Sequence, residues 1–572
     1  MAFQISPGVN VSEIDLTTVV PSVLTTAGAF AGTFQWGPAN KIVLVDSEIT
    51  LSKTFGKPNT DSAVSFFTAA NFLSYGNNLS IVRAVGSNTR NALANTSAFL
   101  QIFNEDVFQD SILVNNGNAA GAFAARYPGA LGNSLSVEVC ANNSTYNTWY
   151  YKNYFTSAPS TSDYVSAAGG SNDELHIVVV DKGGLFTGTA NTVLETFGFM
   201  SKASDASLNG DSNYYKQVIF NKSKFIYAVD PVDYANSVTT WGTTAAGKTF
   251  FKPATTYSVA LGNGFDDTVA LGNLQVAYDL FKNKDSIDVS LVLTGDANTA
   301  LQQYVIDNLA NPNPLVDCRR DCVAFVSPPK SAVVSQSGSE SANILDWLNN
   351  VSTGLQRASS YVVADSGWKY QYDKYNNVYR WIPLNGDIAG LCVYTDTVRD
   401  PWFSPAGFNR GQIKNAVKLA WNPSKTYRDA LYAAGVNPVV SFPGQGIVLY
   451  GDKTLLNKPS AFDRINVRRL FITLEKAISQ ASKFSLFELN DEFTRAQFVA
   501  LITPFLRDVQ GRRGITDFKV VCDSTNNTPA VIDGNKFVGD IYIKPARSIN
   551  YIQLNFVAVG TGVDFTTVVG AA

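Results

Sequence analysis

The chain has 572 residues, enough for about three or four domains, with 45% hydrophobic and only 16% charged residues. Its net charge of −3 carries no basic footprint of the kind nucleic-acid binders show. A single histidine, His176 in DELHIVVVD, leaves little room for a histidine-based triad or metal site and reads as a structural residue at the start of a strand. The five cysteines, Cys140, Cys318, Cys322, Cys392 and Cys522, are odd in number and scattered. They argue against a secreted disulfide framework, and Cys318 and Cys322 in DCRRDC lack CxxC spacing, so buried free thiols are expected. A sparsely charged surface rich in Asn, Ser and Thr repels copies of itself weakly, which suits packing into an assembly.

Residues 1–20 read as an extended arm. SPGVNVSEIDLTTVVPS opens on Pro-Gly, closes on Pro21 and holds β-branched residues with broken alternation between them. The start has no basic cluster and no apolar core, so it reads as no signal peptide. The longest apolar runs, such as IVVV and LVL, are far too short to span a bilayer. The chain is expected to be made and kept in a cytoplasm, or assembled there.

Residues 21–86 carry an α/β pattern. Val64, Phe67, Ala70 and Phe72 follow helical spacing up to the stop at Gly76, and LSIVRAVG reads as a buried strand. From 87 to 266 short strands, Asn, Ser, Gly, Thr and aromatics dominate, which predicts an inserted β-rich domain. The α/β pattern returns over 267–424. SIDVSLVLT, ANTALQQYVIDNLA and DCVAFVSPP predict a βαβ unit with parallel strands. KYQYDKYNNVYRWIPL predicts a hairpin around Asn376-Asn377. Residues 425–560 predict an α+β domain. Its main helix carries Val467, Leu470, Phe471, Leu474, Ile478 and Ala481 on one stripe. A second helix starts near Asn490 or Asp491, and strands around DFKVVCD, KFVGDIYIKP and INYIQLNFVAV form a small sheet. Residues 561–572 begin within a Gly-Thr-Gly hinge and continue as VDFTTVV, a strand-like run with no sheet of its own.

No catalytic constellation emerges. GTGVDF lacks the third glycine and the helix of a dinucleotide loop, and FPGQGIVLYGDKT lacks the lysine signature of a phosphate loop. Glu488, Asp491 and Glu492 fit a helix N-terminus, and Asp365 and Asp373 lack calcium-loop spacing. Neither cofactor nor metal is expected. Arg464, Arg468 and Arg469 crowd one helix start, where positive charge opposes the dipole. Ion pairs within the chain, through Asp463 for example, and a contact to another protein both remain open. Two strand-prone ends on a sparsely charged α/β body suggest a self-assembling structural protein, because exposed strands can extend a sheet on a neighbouring chain and head-to-tail contacts build rings or helical arrays.

The remaining motifs are long and mutually ordered: FQWGP (Phe34–Pro38), TFGKP (Thr54–Pro58), NFLSYGN (Asn71–Asn77), YPGALGN (Tyr127–Asn133), KYQYDKYNNVYRWIPLNGDIAGL (Lys369–Leu391), SPAGFNRGQI (Ser404–Ile413), VLYGDKT (Val448–Thr454), FDRINVRRLF (Phe462–Phe471), LFELNDEFTR (Leu486–Arg495), CDSTNNTP (Cys522–Pro529) and PARSINYIQLNFVA (Pro545–Ala558). They resemble the contractile tail sheath proteins of large contractile-tailed bacteriophages. The resemblance implies a tail-sheath fold of α/β and α+β domains with a β-rich outer insertion and extended arms at both ends. It implies a non-enzymatic virion subunit that forms stacked hexameric rings around a tail tube. Contraction of that array would drive the tube through the host envelope. Implied partners are further copies of the chain, the tube protein, and baseplate and tail terminator proteins, with no direct nucleic acid and no membrane insertion.

The resemblance further implies that the arms pair with the small sheet of neighbouring subunits. The implied residues are Gly8, Val9, Val11, Ile14 and Leu16 at one end and Gly560, Gly562, Val563, Phe565 and Val568 at the other, with Tyr551–Ala558 in the subunit's own sheet. Part of Arg464, Arg468 and Arg469 would touch the tube or an adjacent subunit. One departure stands out. Only about forty residues separate Gly86 from Tyr127, where the best-known large phage sheaths carry a further outer domain, so that domain is expected to be absent or vestigial. Sheaths of tailocins and type six secretion systems share the implied fold and remain an alternative.

Overall fold

The computed structural model describes residues 23–113, 121–232, 240–311 and 319–554. They fall into two compact units, one spanning Val20–Phe484 and one beginning at Ser485.

The larger unit is built on a seven-stranded sheet. In chain order its first elements are β1 (Gly28–Gly32), β2 (Ile42–Val45), helix α1 (Glu48–Phe55), helix α2 (Ala63–Leu73) and β3 (Leu79–Arg83). Strands β1 and β3 are buried along their whole length, as strands covered on both faces must be. After the insertion come helix α3 (Leu271–Asp279), β4 (Leu291–Leu293), helix α4 (Thr299–Val305), β5 (Val323–Val326) and β6 (Val362–Asp365). Then follow the hairpin strands β7 (Trp368–Asp373) and β8 (Val378–Pro383), helix α5 (Asn385–Val398), helix α6 (Lys425–Ala433), β9 (Val436–Asn437) and helix α7 (Ile465–Ser482). The sheet order is β9-β6-β5-β4-β1-β3-β2. Every pairing is parallel except β2 with β3. The predicted βαβ unit is β4-α4-β5, with Leu291 opposite Val323.

Helix α2 lies against α5. The contact is close because Gly390 has no side chain; a Cβ there would overlap the Tyr75 ring. The predicted hairpin is β7-β8, with Asp373 opposite Val378 and Asn377 in the left-handed region at φ 53°. Asp373 holds this turn. Its carboxylate accepts from Tyr375 N at 3.0 Å, Asn376 N at 3.2 Å and Arg380 Nε at 2.8 Å.

Between β3 and helix α3 stands a β-rich insertion. Its four-stranded antiparallel sheet uses Leu135–Cys140, Glu174–Asp181, Thr192–Ser201 and Tyr257–Ala260, around a core of its own that includes Val137, Val139, Ile177 and Val179. Its two ends run side by side: Arg90 and Phe265 exchange backbone hydrogen bonds of 3.1 Å each, and Asn88 N donates to Asp267 at 2.9 Å. His176 is wholly buried. Its ring stacks on Phe155 at 4.2 Å, and both ring nitrogens have backbone partners, Ser157 O at 2.9 Å and Phe199 N at 3.1 Å. Burial holds its pKa below the ordinary value.

The predicted boundary at residue 425 differs from the structure. Helix α6, strand β9 and helix α7 all belong to the larger unit. Strand β9 completes the parallel sheet, with Val436 opposite Ala364. The amphipathic stripe of α7 was legible, but not the body it packs on. The smaller unit holds helix α8 (Glu492–Gly511) and strands β10 (Ile515–Val521) and β11 (Asp540–Pro545). Cys140, Cys322, Cys392 and Cys522 are buried free thiols.

Candidate assembly site

In a doubly wound sheet, ligands bind where the strand order reverses, beyond the carboxyl ends of the strands. Here the chain reverses between β1 and β4, and that position is filled by the protein itself. Asn385, 1% exposed, donates to Gly295 O at 2.7 Å and Ser327 Oγ at 2.9 Å and accepts from Gly295 N at 3.0 Å. Beside it Ser327 donates to the buried carboxyl of Asp365 at 2.6 Å, whose pKa burial pushes up to about 8. Among the described residues no group of three or more His, Cys, Asp or Glu could hold a metal ion, and no helix is long and apolar enough to cross a membrane.

The three arginines of the helix start have partners within the chain. Arg469, 4% exposed, forms a forked pair with Asp396 at 2.8 and 2.6 Å. Burial opposes its charge most strongly, but Asp396 and the Cys392 thiol together outweigh it and the pKa is raised. Arg468 lies between the rings of Tyr361 at 4.1 Å and Phe462 at 4.0 Å and donates to Ser360 Oγ at 2.8 Å; burial lowers its pKa. Arg464 faces Asp452 at 3.3 Å and Asp463 at 3.6 Å, with its side chain 20% exposed. Against the expectation that they reach a tube or a neighbour, Arg468 and Arg469 are both buried within the subunit, where they tie α7 to helix α5 and to the residues leading into β6, with Arg468 Nε left without a hydrogen-bond partner. Arg464 alone of the three stays partly open.

Among the described residues, the smaller unit presents a strand pair with no further strand on either edge. Strands β10 and β11 are antiparallel, with Phe518 opposite Ile543 and Val520 opposite Ile541. Those four residues are half-buried, on the same side of the pair as the buried Cys522. Phe498, Ile502, Leu506 and Val509, spaced four, four and three apart, give α8 its buried stripe, and α8 packs against β10. Asp517, Lys519, Tyr542 and Lys544 face solvent, with Asp517 and Lys544 paired at 2.9 Å. Asp491 caps α8 by accepting from Thr494 N at 2.8 Å, as the LFELNDEFTR pattern suggested. Asn527, 2% exposed, exchanges two hydrogen bonds with the Val538 backbone, 2.8 and 2.9 Å long, and so closes the CDSTNNTP loop against the strand that follows.

The predicted third strand is not formed over Tyr551–Leu554. Tyr551, Ile552 and Leu554 are 83%, 78% and 71% exposed. Over Tyr551–Leu554 residues of both faces are exposed, and Pro545 ends β11 with no N–H of its own. The arm residues Gly8, Val9, Val11, Ile14, Leu16, Gly560, Gly562, Val563, Phe565 and Val568 lie outside the described residues.

Three family models match the chain: the tail sheath protein Gp18 domain III N-terminal region over residues 25–84, the phage tail sheath protein central domain over 294–455 and the phage tail sheath C-terminal domain over 457–558. The tail sheath protein of Vibrio phage KVP40 is 35% identical, covering 99% of this chain and 100% of its own. This chain belongs to the phage tail sheath proteins. The tail sheath protein of Enterobacteria phage T4 is 33% identical, with 99% of each chain covered. The alignment with the Vibrio phage sheath runs over 702 positions against 572 residues here, so that relative carries at least about 130 residues without a counterpart in this chain. Among solved structures, a sheath tail protein from Listeria innocua has a TM-score of 0.53 at 10% identity, covering 92% of this sheath chain and 93% of its own. The anti-feeding prophage helical sheath in its contracted state has a TM-score of 0.51 at 12% identity, covering 97% and 99%. At that identity the likeness is one of fold.

Proposed function

We propose that this protein is the structural subunit of a contractile phage tail sheath. It polymerises as stacked hexameric rings around a tail tube and contracts to drive the tube through the host envelope, delivering the genome. The observation that carries this reading is the identity of about one third, end to end, with phage tail sheath proteins. Its role is mechanical rather than enzymatic, with no cofactor, no direct nucleic-acid contact and no membrane insertion. The subunits assemble in the host cytoplasm and remain in the virion tail.

The N-terminal arm, around Gly8 to Val20, and the C-terminal arm, around Asp564 to Val569, join subunits by adding strands to the open edges of β10 and β11 in neighbours. Main-chain hydrogen bonds of such a junction survive rigid rotation of the bodies it links. Residues 560–562, Gly-Thr-Gly, are the hinge of the second arm. Arg464, the partly open member of the arginine cluster, contacts an acidic group on the tube or an adjacent subunit. Baseplate and terminator proteins bound the polymer at its ends.

Co-expression with the tube protein of the same virus tests the reading. Electron microscopy should find tubes jacketed by a six-fold helical sheath. Bare tubes beside soluble, folded subunits would overturn it. A sheath of a related injection machine is the second reading, favoured only by the fold likeness to the anti-feeding prophage sheath.

A further inference from the structure

Arg83 ends strand β3, at the root of the insertion, and is 1% exposed. Its guanidinium donates to four backbone carbonyls: Nε to Phe34 at 2.8 Å, Nη1 to Gly37 at 2.9 Å, and Nη2 to Gln35 at 3.3 Å and Pro128 at 2.8 Å. Three of these belong to the FQWGP loop that leaves the middle sheet. The fourth belongs to the YPGALGN loop of the insertion. Asp266, where the insertion returns, lies 3.8 Å away and accepts from Ala130 N at 3.1 Å. Gly129 has φ 129°, and a Cβ there would come within 2.5 Å of Asp266 Oδ1 and 3.2 Å of Arg83 Nη2. A side chain at that position would have to displace the Asp266 carboxylate and adopt a backbone conformation that favours glycine.

The apolar half of the joint crosses the other way. Trp36 belongs to the FQWGP loop but is buried in the core of the insertion, edge-on to Tyr127 at 5.4 Å and to Phe186 at 5.0 Å. Two chain crossings alone would allow the insertion to swing. A planar fork bonded to carbonyls of both bodies, together with a tryptophan of one body buried in the other, fixes its angle. Burial lowers the Arg83 pKa to about 10, so the cation persists at neutral pH.

We infer that Arg83 is a positioning residue that locks the β-rich insertion to the middle sheet, so that the two move as one rigid body. The insertion then transmits any load placed on it directly to the sheet instead of pivoting on its two connections. This lock holds whatever the assembly does, so its failure and the failure of the sheath reading are separate results.

Hydrogen exchange and calorimetry on the full chain test it. In the wild type the amides of Arg90, Phe265 and Gly129 should exchange as slowly as those of β4 and β5, and the insertion and sheet should unfold in one step. Arg83→Gln should raise exchange at the three joint amides at least tenfold and split the unfolding into two steps. Arg83→Lys should not restore the lock, because an ammonium cannot span four carbonyls on two loops. Wild-type protection and a single step in Arg83→Gln would overturn the inference, as would restoration by lysine. Should Arg83→Gln fail to fold, the wild-type measurement decides: joint amides that open while β4 and β5 stay protected would refute a rigid joint.

Discussion

Replacing Arg469 by methionine keeps most of the stem volume and removes the guanidinium. The pair it makes with Asp396 has contacts of 2.6 and 2.8 Å, and the two side chains are 4% and 5% exposed. After the substitution Asp396 keeps a hydrogen bond from Thr25 at 2.7 Å and no matching cation. Breaking a buried pair in this way costs about 3–5 kcal/mol, because one charge is left without its partner. The unit that contains it spans about 465 residues, Val20–Phe484. At about 2.1 cal/mol/K per residue its unfolding entropy is about 1 kcal/mol/K, so Tm should fall by about 3–5 °C. Differential scanning calorimetry reads this directly. Adding Asp396→Leu should recover most of the loss, since an apolar pair no longer strands a charge. A Tm within about 1 °C of wild type in Arg469→Met, with no gain in the double variant, would refute the view that this pair anchors α7.

Other outcomes follow from the same geometry. Asp365 has a folded pKa of about 8, above its ordinary 3.8, so the stability tied to its protonated form is full below about pH 4 and is lost as pH rises through about 8. Asp365→Asn should therefore lose less Tm than wild type between pH 6 and pH 9, and parallel curves would contradict the assignment. Asn527→Ala removes both bonds to the half-buried Val538 backbone, leaving its N–H without that partner and its C=O with the Cys522 thiol at 3.4 Å, which should cost about 1–2 kcal/mol; unchanged exchange at the Val538 amide would count against it. Arg464→Ala should weaken sheath assembly on tubes and reduce its salt dependence, since exposed charge contacts are screened. Wild-type assembly would leave Arg464 a purely internal residue.

The sequence carried those features that depend on local chemistry. The parallel βαβ unit followed from short apolar runs around a helical period, and the hairpin followed from Asn376-Asn377 between aromatic strands. The insertion followed from a change of composition near Gly86 and Asp267. Non-local features were harder to read. Nothing near Val436 indicates that two residues cap a parallel sheet whose neighbouring strand ends at Asp365, so the domain boundary fell at 425 instead of 485. The arginine cluster left internal ion pairs and a contact to another protein both open, because Asp396, Ser360 and Tyr361 are distant in sequence and supply its partners only after folding. Arg83 gave no signal at all: its four carbonyl acceptors are backbone atoms, which carry no side-chain signature. The resemblance motifs FQWGP and YPGALGN marked the right loops without giving the reason that they meet.

The most direct measurement compares the full chain with a truncation lacking Thr561–Ala572 by negative-stain electron microscopy, with circular dichroism as the check on folding. The full chain should form hollow sheath-like tubes, and the truncation should give folded monomers that do not polymerise. Normal tubes from the truncated chain would contradict the account of subunits linked through their arms.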